Sequence, residues 1–154
     1  MNLLLIFSRY FTHESMERRD LIMDEIKALG KALGKILASI LGTEDKNSDG
    51  EIQLAQISAT MEAKLKINMD DFLALPFEEV KPYLKTRGFM PVHLEKLSEI
   101  LLESAKAIES RDPESAQLLY RRTLDIYSLM DQALDAVSLD RFQKEDWIRE
   151  RLTK

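Results

Sequence analysis

"DLIMDEIKALGKALGKILASILG", residues 20–42, is the stretch on which the fold turns. Within residues 21–41, Ile22, Ile26, Leu29, Leu33, Ile36 and Ile40 follow one another in alternating steps of four and three. That spacing puts them in one stripe of an α-helix, because side chains three and four apart share a helical face. Gly42 supplies a stop signal, and "TEDKNSDG" behind it is a turn.

Working outward, the same period recurs. Residues 51–66 carry Leu54, Ile57, Met61 and Leu65 on one face. Asn68, with Asp71 three residues later, caps a short turn; Pro76 is placed for a first helical position and Pro82 limits or bends the helix it begins. Pro91 opens a helix with Leu94, Leu97, Leu101, Ser104 and Ile108 in a stripe. In "RDPES" Asp112 can cap free amides while Pro113 fills a position whose amide needs no partner. The helix that follows runs through Ala116, Leu119, Tyr120, Thr123, Leu124, Tyr127 and Met130. Ser138 caps a last one with Leu139, Phe142, Trp147 and Leu152. No alternating strand pattern competes, so the expected class is all-α, built of helical hairpins.

Composition agrees. The chain has 154 residues, 45% hydrophobic and 32% charged, with five Gly and four Pro. A chain of this length makes about one domain, and burial of ~70% of its unfolded surface is expected. The formal charge of −5, without any block of like charge, speaks against a phosphate-backbone binder, so no nucleic acid is expected as partner. The absence of cysteine removes disulfides, thiolate metal sites and cysteine nucleophiles, and suits a reducing cytoplasm. At the front, "MNLLLIFSRYF" has a five-residue apolar run, Leu3–Phe7, without the charged lead-in or cleavage site of a signal and too short to span a bilayer. Residues 1–15 are therefore expected to be an apolar arm docked on the chain or across a subunit interface, and residues 16–154 a single helical domain.

Residues 94–127 have the helix–turn–helix spacing of a tetratricopeptide hairpin, with Ala116, Tyr120 and Thr123 as the small, aromatic and small positions of the second helix and Ser104 as the small residue of the first. "GEIQLAQISATMEAKLKI" looks like a fainter copy. With residues 20–42 in front, the order from about Asp20 to Gln132 resembles small bacterial all-helical proteins whose later part is tetratricopeptide-like. The resemblance implies a non-enzymatic protein-interaction or scaffold role with a protein partner, a second copy of the chain among the candidates, and no cofactor.

Four features carry the alternatives. "DKNSDGEIQLAQ", residues 45–56, puts Asp45, Asn47, Asp49 and Gly50 on the first, third, fifth and sixth positions of a calcium loop, with the Glu51 carbonyl as a further donor. The twelfth position is Gln56 where the loop needs a bidentate Glu, Glu44 stands where an apolar residue is usual, and there is no second loop. A polar turn in which Ser48 or Asp49 caps the next helix is the preferred reading, with a weak single EF-hand as the alternative. Gly30 and Gly34, in "GKALG", cost about 1 kcal/mol each relative to Ala inside a helix. They mark a close helix contact, within the chain or between chains. Lys27, Lys31 and Lys35 form a row opposite the Ile/Leu stripe, and no acidic residue falls between Ile26 and Leu41. Such a face can lie on an anionic membrane surface, but the net negative chain would be repelled, and the wet face of a core helix is preferred. Trp147 is either a lid over the core or an interface anchor. His13 and His93, and the carboxylate pairs Glu78–Glu79 and Asp70–Asp71, have neither metal-ligand nor catalytic spacing, and no phosphate loop or nucleophile elbow occurs.

Overall fold

The chain is described from a computed structural model, which places the backbone of residues 3–42, 50–133 and 138–153 and the side chains of residues 16–42, 54–133 and 138–153. Its elements are α1 (Leu3–Gly42), α2 (Gly50–Leu65), α3 (Met69–Ala74), α4 (Phe77–Thr86), α5 (Pro91–Ile108), α6 (Pro113–Ala133) and α7 (Leu139–Leu152). The fold is all-α; no strand occurs among the described residues.

The centre of the core is the α5–α6 hairpin. Asp112 Oδ1 accepts from the Ser115 amide at 3.2 Å, which starts α6. Leu97, Ile100, Leu101, Ala105 and Ile108 of α5 then face Ala116, Leu119, Tyr120, Ile126 and Tyr127 of α6, all buried. Two hydroxyls sit inside this packing without cost because each returns to its own helix. Ser104 Oγ donates to the Ile100 carbonyl at 2.6 Å and Thr123 Oγ1 to that of Leu119 at 2.8 Å.

α1 lies across α5 and pairs with α2. Its stripe from Leu33 through Ile36, Leu37 and Ile40 is buried, Ile26 and Leu29 are half-buried, and Ile22, at the head of the same stripe, is exposed. Every residue from Met16 to Glu25 is exposed, so this part of the helix runs clear of the core. Residues 3–15 continue α1 without a break in the backbone.

Two chain reversals each turn on a residue with positive φ. After α2, Lys66 turns at φ 59°, its amide reaches Glu62 O and the Ile67 amide reaches Met61 O. After α4, Gly88 turns at φ 83° and the Phe89 amide reaches Leu84 O. The second bond spans five residues, with the Gly88 amide bonded to Lys85 O, as in a helix-ending Schellman turn; the first spans six. In both, the apolar residue that follows, Ile67 or Phe89, is buried in the core. The first reversal was expected to be helix through residue 66, since nothing in Lys66 announces a left-handed turn.

Between the reversals, Asn68 Oδ1 accepts from the Asp71 amide at 3.1 Å and caps α3 as expected. Pro76 is the capping residue of α4, with ψ 154°, and Phe77 rather than Pro76 is the first helical residue. Pro82 lies inside α4. α7 begins with Ser138 Oγ accepting from the Arg141 amide at 3.3 Å. The residue it buries is Ile148; of the apolar residues it carries, Leu139 and Phe142 are exposed and Trp147 and Leu152 are partly buried.

Candidate interaction groove between α1 and α2

The outer face of α1 and the near side of α2 bound a groove. α1 turns Leu33, Ile36, Leu37 and Ile40 inward, which leaves Ala28, Lys31, Ala32, Lys35 and Ser39 on the opposite side. α2 buries Ile57, Met61 and Leu65, and this sends Thr60 and Lys64 toward α1. Two adjoining hollows of about 340 and 300 Å³ share Ile36, Ser39 and Thr60. The first is closed by Ile40, Gln56, Ile57 and Ala59, the second by Ala28, Ala32, Lys31, Lys35 and Lys64.

The chemistry of the groove follows from that lining. Its floor is made of small or apolar groups, so an incoming helix can approach closely, and the three lysines at the rim give one sign of charge with no carboxylate among the lining residues. Long lysine stems can lie along the apolar floor while their ammonium groups stay in water. Lys31 and Lys35 belong to the row visible in the sequence. Lys64 joins them only through the packing of α2 on α1, because it is far from them along the chain.

The other residues singled out in the sequence are dispersed. At Gly30 an added Cβ would stand 3.9 Å from His93 Cδ2, so α1 crosses α5 closely there, while nothing lies within 4 Å of the corresponding point at Gly34. His93 is buried in this crossing. Its Nδ1 accepts from the Met90 amide at 2.8 Å, which leaves the ring proton on Nε2, 2.8 Å from the Ile26 carbonyl of α1. Trp147 is half-buried where α7 meets the α5–α6 hairpin. The Arg151 guanidinium lies 3.9 Å from its ring centre, Lys106 Nζ lies 5.0 Å away, and its edge meets Tyr120 at 5.9 Å between centres. Glu109 closes this corner by accepting from Arg151 Nη1 at 3.0 Å and from the Tyr120 hydroxyl at 3.1 Å. Burial, with Glu109 beside it, pushes the Tyr120 hydroxyl well above the ordinary tyrosine range.

Arg122, which the periodicity did not mark, is buried on α6. It donates to the carbonyls of Leu73 and Leu75 and to Asp125 Oδ2 at 3.1 Å, with its guanidinium 5.4 Å from the Phe72 ring centre. It thereby holds the α3–α4 junction against α6. Burial lowers the proton affinity of Arg122 and raises that of Asp125, and each charge partly offsets the other's shift. Of the calcium-loop residues, Gly50, Glu51 and Gln56 belong to α2, while Asp45, Asn47 and Asp49, with the alternative cap Ser48, lie outside the described residues. Glu78, Glu79, Asp70 and Asp71 occupy exposed first turns of α4 and α3. Among the described residues no group of three or more His, Asp or Glu could hold a metal ion, and no helix is long and apolar enough to cross a membrane. Comparison with family models, with curated proteins and with solved structures gives no match.

Proposed function

We propose that this chain is a non-enzymatic helical interaction module whose α1–α2 groove receives an acidic amphipathic helix. The observation that carries this reading is the groove itself: a floor of Ala28, Ala32, Ile36, Ser39 and Thr60 under a rim of Lys31, Lys35 and Lys64. An amphipathic helix recognised in this way sets its apolar stripe on the floor and its carboxylates against the lysines. The rim charges then govern encounter rate and salt dependence more than affinity. The α5–α6 hairpin, tetratricopeptide-like in the spacing of Ser104, Ala116, Tyr120 and Thr123, serves as the rigid base on which the groove is mounted. Of the groups whose proton affinities are displaced, Asp112 caps α6 and Tyr120, Arg122, Asp125 and Tyr127 sit in the packing between helices, which favours a scaffold over a catalyst. A bacterial cytoplasmic setting accompanies the reading, in keeping with the cysteine-free composition.

The test uses two synthetic helices with the same leucine stripe, one with glutamates and one with lysines flanking it. Titrated into isotope-labelled protein, the acidic helix is expected to shift the amide signals around Lys35 and Lys64. Lys35→Glu with Lys64→Glu should weaken its binding by about tenfold or more. Equal binding of both helices, or binding indifferent to the two lysines, would contradict the reading.

A further inference from the structure

The exposed side of α1 is two-signed. Leu21, Asp24, Ala28, Lys31, Ala32, Lys35 and Ser39 follow in helical steps of three and four or adjoin that line, and all are exposed except Ala32, which is half-buried. Before Ala28 the line carries Asp24, with Asp20 and Glu25 beside it and Arg18, Arg19 and Lys27 further round the helix; after it the line is basic, with Lys31 and Lys35, joined by Lys64 from α2. The acidic half also has an apolar side chain with nothing to cover it, since Leu21 is 63% exposed. One half of this helix therefore has the chemistry of the ligand that the groove beside the other half would take.

We propose that the occupant of the α1–α2 groove is the first half of α1 from a second copy of the chain, the two α1 helices pairing antiparallel about a two-fold axis beside Ala28. This rests on the groove reading above and names its partner. With the axis there, residues at similar distances before and after Ala28 face each other. Asp24 meets Lys31 of the second copy and Asp20 meets its Lys35 along one edge, while Glu25 meets Lys64 of the second copy along the other. Leu21 lies over the groove floor between Ala32 and Ile36. Each contact is made twice, as a two-fold interface requires. Ala28 and Ala32 at the crossing leave room for the axes to come within about 8 Å, the short end of helix packing. A parallel pairing would instead set Asp24 against Asp24 and Lys31 against Lys31, so the charge pattern selects the antiparallel arrangement as well as the partner.

Sedimentation of the full chain over a micromolar to millimolar range tests this. The wild type is expected to reach twice the mass of the chain. Lys31→Glu with Lys35→Glu, and separately Asp20→Lys with Asp24→Lys, should each raise the dimer dissociation constant at least tenfold. Mixing the two variants one to one, or combining all four substitutions in one chain, should restore the dimer. Because these positions are exposed, circular dichroism and melting of the diluted variants should match the wild type. A wild type that stays monomeric yet binds the synthetic acidic helix overturns the self-pairing and leaves the groove reading intact. A dimer that is indifferent to all these charges, or a four-fold variant that fails to reassociate, also overturns the pairing.

Discussion

Leu97, Ile100, Leu101, Leu119 and Ile126 in the α5–α6 hairpin are at most 1% exposed, whereas Met16, Leu21, Ile22 and Met23 in the first half of α1 are at least 50% exposed. Both stretches are helical and both offer apolar side chains. They differ in what lies across from them: α5 and α6 cover each other through a four-residue turn, while the front of α1 extends beyond the first turn of α5, where His93 meets Ile26. Helical spacing specifies which side chains share a face, and only the path of the rest of the chain decides whether that face is filled. An apolar face left open on an otherwise well-covered fold marks a contact still to be made.

The sharpest way to break the contrast is to cut one leucine from each region. Leu101→Ala should cost about 3–4 kcal/mol in denaturant unfolding, because the cavity lies in a close-packed core. Leu21→Ala, measured in dilute protein, should change stability by less than about 0.5 kcal/mol while weakening association. Equal costs would mean that the front of α1 is part of the core after all.

Next in size is Arg122, which extends the hairpin's grip to the α3–α4 junction. Arg122→Ala removes the donors for the Leu73 and Leu75 carbonyls and leaves Asp125 without its countercharge. A loss of about 2–4 kcal/mol is expected by denaturant titration. A loss below about 1 kcal/mol would show that water replaces the guanidinium there.

The hairpin also carries a pH signature. Burial, with the nearby Asp140 and Glu99 charges, pushes the Tyr127 hydroxyl up to about 12. Its folded value thus exceeds that of the unfolded chain, near 10. The sign follows: the stabilisation is complete below about pH 10 and is lost as pH rises from there through about 12. Tyr127→Phe should lessen the steepness of alkaline unfolding, followed by circular dichroism, and an unchanged profile would assign that steepness elsewhere.

The smallest effect has the opposite sign. Lys66 adopts the left-handed turn that Gly88 adopts at the end of α4. Lys66→Gly should stabilise the protein by about 0.5–1 kcal/mol, since a side chain there is strained and glycine is not. A melting temperature that falls instead would point to the Lys66 stem as packing against Tyr83 or Arg87, whose Nε donates to the Lys66 carbonyl at 2.7 Å.

Much of this architecture was legible in the residues, and the illegible parts have physical causes. The α1 stripe, the α5 and α6 faces and the caps at Asn68, Asp112 and Ser138 are local signals, set by spacing or by one side chain and one amide three residues on. The face of α7 was not legible, because Ile148 is its one fully buried residue and Trp147 and Leu152 are only partly covered. The remainder of its contact is made by Trp147, Arg151 and ion pairs, which leave no apolar period. Lys66 was missed because its left-handed turn is set by the burial of Ile67 and its amide's bond to the Met61 carbonyl, not by Lys66 itself. In the groove, the Lys31–Lys35 row was visible and Lys64 was not, since a site assembled across two helices has no one-dimensional spacing. The same limit applied to Arg122 and His93, whose partners lie on other helices.

Amide hydrogen exchange, resolved residue by residue at a dilute and a concentrated protein solution, tests the completion of α1 by a second copy most directly. Amides of residues 97–127, closed within the hairpin, should be the slowest and should not depend on concentration. Amides of residues 17–26 should exchange quickly in the dilute sample and slow markedly in the concentrated one. Identical exchange of residues 17–26 at both concentrations, across a range reaching millimolar, would contradict the account.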